Sequence, residues 1–205
     1  MSHDLSVYSK NVKIVDTFKE MVETPFNDSQ NVILRPRQLN GDFNAVAQHV
    51  LTHFSKERSL SFGYAHRKST DDFLNLANAL KSIECRAALE QIAADVRALT
   101  RIGYGVQIRV QRHSSNKEKP HVDGFRDRIL TNYCGATTLG WQPKDVDTSN
   151  PSYPVITEGA QPFRMRLGDM WRQKCKLSKG LHPFVHSVPS DNTEIRMLMV
   201  ASPLN

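Results

Sequence analysis

The sequence predicts an α+β protein, with helices first and strands after. Apolar residues recur at helical spacing through much of the first hundred of the 205 residues. Short apolar or alternating runs, separated by turn-forming residues, fill residues 104–201. Helices grouped before strands, rather than alternating with them, suit helices packed on one side of a sheet. At this length a single domain over 1–205 is expected, with 1–100 mostly helical and 104–201 the strand-built core.

Residues 1–30 carry one weak signal, a helix around Val15 to Val22. Asn31-Val32-Ile33-Leu34 reads as a short strand before Arg35-Pro36-Arg37. Phe43, Val46, Ala47, Val50, Leu51 and Phe54 make one face of a helix that follows Asn40-Gly41. Ser69-Thr70-Asp71-Asp72 is a helix start, with Phe73, Leu76, Ala77 and Leu80 on one face. Ala87 to Leu99 forms another helix, turning Leu89, Ile92, Val96 and Leu99 inward. Val106 to Arg112 alternates apolar and polar, the pattern of a half-buried strand. Val155-Ile156, Phe163 to Leu167, Phe184-Val185-His186 and Ile195 to Val200 are further strands, divided by Gly168-Asp169, Lys179-Gly180 and Pro189 to Asn192. The polar loop Gln142 to Tyr153 has the length of a lid and is expected to cover a substrate, with Trp141 at its base.

The chemistry centres on His121-Val122-Asp123. The preceding polar loop ends in Pro120, so His121 opens an extended segment. Alternate residues of a strand face one side, so His121 and Asp123 can reach one metal ion while Val122 points away. His186 follows sixty-five residues later, and Arg196 ten residues after that. Two histidines and a carboxylate bind iron(II) on one face and leave the opposite positions open. Arg196 interrupts an apolar strand, and a buried guanidinium is costly unless an anion meets it. His182 is a rival for the distal ligand, although it directly precedes Pro183 in the approach to the strand.

Four blocks of this half resemble the Fe(II)/2-oxoglutarate-dependent dioxygenase superfamily. They are Val110-Gln111-Arg112-His113, Pro120-His121-Val122-Asp123, Arg166-Leu167-Gly168-Asp169-Met170, and Val185-His186-Ser187-Val188-Pro189 through Arg196. Within it, the stretch from His121 through Arg128 to Tyr133 and on to Thr138 is most similar to a small uncharacterised bacterial family of unknown function. The resemblance implies a double-stranded β-helix core (jelly-roll, cupin-like) with the N-terminal helices on one sheet. It implies iron(II) on His121, Asp123 and His186, and the far carboxylate of 2-oxoglutarate on Arg196. Gln111 and His113 stand where the nucleobase-demethylase branch has asparagine and tyrosine contacting the co-substrate. His113 departs from that tyrosine, and the loop to His121 is one residue shorter. Arg128 is either a further carboxylate binder or a salt-bridge partner at the start of its strand. Halogenating relatives carry a small residue at the position of Asp123, so a carboxylate there implies hydroxylation or demethylation, with O2 as oxidant and succinate as co-product.

Composition narrows the setting. Cys85, Cys134 and Cys175 are widely spaced and form no CxxC pair, which argues against a disulfide scaffold or zinc ribbon and suits a reducing cytoplasm. No apolar run is long enough to span a bilayer, and Met1 to Leu5 lacks a secretory pattern. The net charge is +6. Basic residues flank the metal-ligand candidates, at Arg109, Arg112, Lys117, Lys119, Arg126 and Arg128 and again at Arg164, Arg166, Arg172, Lys174, Lys176 and Lys179. They suit an anionic small-molecule or side-chain substrate. Nucleic acid is a weaker expectation, because aromatic residues are not interleaved with the charges for base stacking. The alternative to an oxygenase is a cupin-like metal-binding or sensing protein without turnover.

Overall fold

The computed structural model of the chain describes residues 8, 10–53, 59–62, 75, 76, 78–111, 119–176, 182–189 and 195–204. Helix α1 (Phe18–Glu23) starts in a capping box: Thr17 Oγ1 accepts the Glu20 N–H, and the Glu20 side chain accepts the Thr17 N–H. Helix α2 (Phe43–His53) buries Phe43, Val46, Ala47, Val50 and Leu51, the stripe expected from the periodicity. Phe54 and the helix start at residues 69–73 lie outside the described residues. Helix α3 (Ile83–Arg101) is capped by Ser82, whose Oγ accepts the Cys85 N–H. It ends where Gly103 takes a left-handed φ of 84°, a conformation glycine adopts at little cost.

Twelve strands are present, in chain order β1 (Val12–Ile14), β2 (Val32–Arg35), β3 (Ser59–Phe62), β4 (Tyr104–Gln111), β5 (Asp127–Cys134), β6 (Leu139–Gly140), β7 (Val146–Asp147), β8 (Val155–Ile156), β9 (Phe163–Arg164), β10 (Met170–Lys174), β11 (His186–Ser187) and β12 (Arg196–Pro203), among the described residues. Seven of them make one sheet in the order β1-β2-β10-β5-β12-β4-β3, a second sheet runs β11-β6-β9, and β7 pairs with β8. The first hundred residues therefore contribute β1, β2 and β3 to the main sheet as well as helices. The expected division near residue 100 is not a division of the sheet.

The alternation of the long strands sorts the sheet into two faces. On one, Ile33, Val106, Ile108, Val110, Ile129, Tyr133, Met197 and Met199 pack against the apolar sides of the three helices. On the other, Val32, Leu34, Leu130, Trp171, Leu198 and Val200 pack with Met165 and Phe184 beside the second sheet. The core is thus split by the main sheet, and Arg109, Gln111, Arg128 and Arg196 of the long strands emerge on the second face beside Leu130 and Leu198. The expected lid is partly ordered by pairing, since residues 143–145 form a 3-10 turn and β7 pairs with β8. Among the described residues no helix is long and apolar enough to cross a membrane.

Candidate metal centre

His121 and His186 are brought together by their own backbones. The His121 N–H donates to the His186 carbonyl at 2.9 Å, and the His186 N–H donates back at 3.0 Å, an isolated antiparallel bridge. Their rings stand 4.4 Å apart between centroids. Asp123, two residues along, puts Oδ2 3.6 Å from His186 Nε2. One ligand atom from each of the three lies within 4.8 Å of the others. The same-face argument for His121 and Asp123 and the distal position of His186 thus meet in one cluster, although His121 sits in a bridge rather than a full strand.

Each ligand atom is oriented by a neighbour, as metal ligands usually are. His121 Nδ1 faces the Lys119 carbonyl at 2.9 Å and His186 Nδ1 faces the Phe184 carbonyl at 3.4 Å. A proton on each Nδ1 satisfies those carbonyls and makes Nε2 the lone-pair nitrogen. The His186 ring also stacks on Phe184, with centroids 5.5 Å apart and planes 6° apart. Gly140, opposite His186 in the β11–β6 register, makes room for that stack, because a Cβ there would lie 2.5 Å from Phe184 Cζ. Asp123 is 6% exposed; its Oδ2 accepts the Gln173 side-chain N–H at 2.9 Å and its Oδ1 pairs with Arg128 at 2.7 Å. Arg128 thus sits in the salt bridge that the sequence left open for it, with Nε donating to Ser202 Oγ at 3.2 Å.

A cavity of about 240 Å³ opens on this cluster. Arg196 lines it, is 5% exposed, and donates from one terminal nitrogen to Asn132 Oδ1 at 2.8 Å and Thr138 Oγ1 at 3.0 Å. Its Nε has no hydrogen-bond partner, and among the described residues no carboxylate lies within salt-bridge distance of it. Burial, with Arg109 adding repulsion, pushes its pKa down to about 10, so the group is still a cation at neutral pH. Gln111 lines the same cavity and faces Arg196 across the β4–β12 register. His113 lies outside the described residues. His182, at a left-handed φ of 63°, is not part of the cluster and does not line the cavity. No described residue of the expected lid lines it either, and Trp141 packs instead with Val146 and Val185.

Sequence reasoning missed Gln173, Asn132 and Thr138 as parts of the site, and named Arg109 only within a basic cluster flanking it. Asn132 carried a usable signal, since a fully buried amide in the run Ile129 to Cys134 needs a polar partner. Gln173 gave none, because its partner is fifty residues away.

No protein-family model matches the sequence, and no curated protein matches it. Solved structures give faint likenesses. A C-terminally truncated Neurospora crassa protein in apo form aligns over 100% of both chains with 10% identity and a TM-score of 0.47. The Kdo hydroxylase KdoO, a non-heme Fe(II) alphaketoglutarate dependent dioxygenase, aligns over 94% of this chain and 88% of its own with 12% identity and a TM-score of 0.47. The rice dioxygenase for auxin oxidation aligns over 78% of this chain with 10% identity and a TM-score of 0.37, and this chain spans 62% of its length.

Proposed function

We propose that the chain is an Fe(II)/2-oxoglutarate-dependent oxygenase of the hydroxylating or demethylating kind, built as a single domain on a double-stranded β-helix core. The observation that carries this reading is one cavity holding two complementary features. His121, Asp123 and His186 offer a facial set of two imidazoles and one carboxylate, and Arg196 offers a buried cation that no carboxylate among the described residues neutralises. That donor set is the one associated with non-haem iron(II) and open coordination positions. A dicarboxylate co-substrate supplies the anion that Arg196 lacks, and Arg presents a forked donor suited to it.

In this reading iron(II), when bound with O2, supplies the oxidising chemistry. The protein's residues do the rest. His121, Asp123 and His186 hold the metal; Gln173 and Arg128 fix the two oxygens of Asp123; Asn132 and Thr138 aim Arg196. Gln111 is a further co-substrate contact on the cavity wall, and His113 stands as a candidate from sequence alone. The cytoplasm is the compartment that three widely spaced cysteines, none in a disulfide, suit.

The test is anaerobic titration of the purified protein with iron(II) and 2-oxoglutarate, followed by an assay for succinate on admitting air. Iron uptake lost in Asp123→Ala, together with succinate formation by the wild type, is the expected result. Metal binding that is indifferent to 2-oxoglutarate, with no succinate formed, would instead identify a metal-binding or sensing protein without turnover.

A further inference from the structure

We infer that Arg109 forms a second oxyanion subsite in this cavity, so that the molecule acted on is a small organic anion: a carboxylate, phosphate or sulfate on a short apolar body. The inference rests on the proposed assignment of the co-substrate's far carboxylate to Arg196.

Placement comes first. In the antiparallel pairing of β4 with β12, Arg196 lies opposite Gln111 and Leu198 opposite Arg109. Arg109 is therefore the diagonal neighbour of Arg196 on the same face, one alternation further along, within reach of a long side chain. Both line the cavity, and Arg109 is half-buried.

The guanidinium of Arg109 also has donors to spare. Its Nε donates to Gln107 Oε1 at 2.6 Å, and among the described residues no carboxylate lies within salt-bridge distance. Arg128 differs in being engaged with Asp123 and Ser202. Three guanidiniums and one carboxylate line the cavity. A divalent metal and a doubly charged co-substrate cancel each other, so an excess of positive charge persists in the loaded site. Such a recess concentrates anions. Burial, and then Arg128, hold the Arg109 pKa below its ordinary value against the opposing pull of Asp123.

The remaining wall bounds the rest of the molecule. Leu130, Leu198 and Val200 line the cavity beside the charged groups, and its volume is about 240 Å³. An oxyanion held by Arg109 would lay a short apolar body on that floor.

Calorimetric titration of the protein loaded anaerobically with iron(II) and saturating 2-oxoglutarate provides the test, with hexanoate, hexyl phosphate and hexyl sulfate compared against 1-hexanol and hexylamine. At least one of the three anions is expected to bind about tenfold or more tightly than the alcohol and the amine. Arg109→Gln should remove that preference while lowering 2-oxoglutarate affinity by a smaller factor than it lowers the anion's, and Arg109→Lys should restore part of it. Thermal melts of both variants establish that they fold. Equal binding of anion, alcohol and amine, or no binding of any, overturns the inference. So does a loss in 2-oxoglutarate affinity in Arg109→Gln at least as large as the loss in anion affinity, which would give Arg109 to the co-substrate. Arg109-dependent binding of a single-stranded oligonucleotide with none of the hexyl anions overturns it in favour of a nucleic-acid substrate. Failure of the iron-loaded wild type to take up 2-oxoglutarate is a separate result against the oxygenase reading. Titration of Arg196→Met with the same probes, with and without Arg109→Gln, would then decide the Arg109 subsite by itself.

Discussion

Arg37 and Arg196 sit on opposite faces of the main sheet, and both are almost buried. Arg37, on the helix face, has a protein partner for each of its three nitrogens. It pairs with Asp95 at 2.6 Å, donates to the Gly168 carbonyl at 2.6 Å and reaches Thr131 Oγ1 at 3.2 Å. Asp95 in turn accepts from the Tyr133 hydroxyl at 2.7 Å, and the Tyr133 ring stacks on Phe43. Burial pulls the Arg37 pKa down, but the bond to Asp95 and its charge outweigh it, so the net shift is upward. For Arg196 burial and Arg109 act in the same direction, and the shift is downward. A fold that supplies a counter-ion to one buried guanidinium and neutral oxygens to the other has made the first a structural tie. In the proposed reading the second is a receptor.

The comparison breaks most directly at Asp95. Asp95→Ala leaves Arg37 as a buried cation without its partner, and it should lower unfolding free energy by roughly 3–5 kcal/mol. Urea denaturation measures it, and a loss below about 1 kcal/mol would mean that Arg37 is no tie at all.

Arg196→Met should behave in the opposite way. It strands the oxygens of Asn132 and Thr138 but relieves an uncompensated buried charge, so stability should change by less than about 1.5 kcal/mol. Affinity of the iron-loaded protein for 2-oxoglutarate should fall about a hundredfold, the scale of two charge-assisted hydrogen bonds. A collapse in stability with binding unchanged would reverse the roles of the two arginines.

Gln173→Ala sharpens the picture at the metal ligands. Loss of the donor to Asp123 Oδ2 should weaken iron(II) binding by about 10–100-fold, the range for groups that orient a ligand. Competition against a colorimetric chelator would read it.

The smallest effect is on pH. The protonated form of Arg196 binds the anion, so the complex raises its pKa above that of the unliganded protein. Affinity is then fully present below about 10 and lost as pH rises through that value. Titrations across alkaline pH should be level up to about pH 9 and then decline. A fall already at neutral pH would point to a different titrating group.

Much of this is readable from residue order, and the gaps follow a physical rule. The α2 stripe and the alternation of Tyr104–Gln111 follow local periodicity, which needs no knowledge of partners. The same local rule places His121 and Asp123. Strands β1 and β3 escape notice because runs of three and four residues carry too little pattern, and pairing with distant strands makes them what they are. Asp95 is inside α3 on a face otherwise apolar, so its burial depends on Arg37 arriving from fifty-eight residues away. Arg109 reads in sequence as one of a basic group, and only the β4–β12 register turns it toward Arg196. Polar residues whose meaning lies in a long-range partner are where one-dimensional reading stops.

The reciprocal pair of amide bonds between His121 and His186 carries one more consequence. The two histidine backbones share that bridge, while His186 is held besides by its pairing with Gly140 of β6 and by the Phe184 ring. Separating the two segments would therefore release His121 and its neighbour Asp123 from the cluster while β6 and Phe184 keep His186 in place. Metal release and the exchange of those two amide hydrogens with solvent should share one opening, and loading the metal should slow both amides by the same factor.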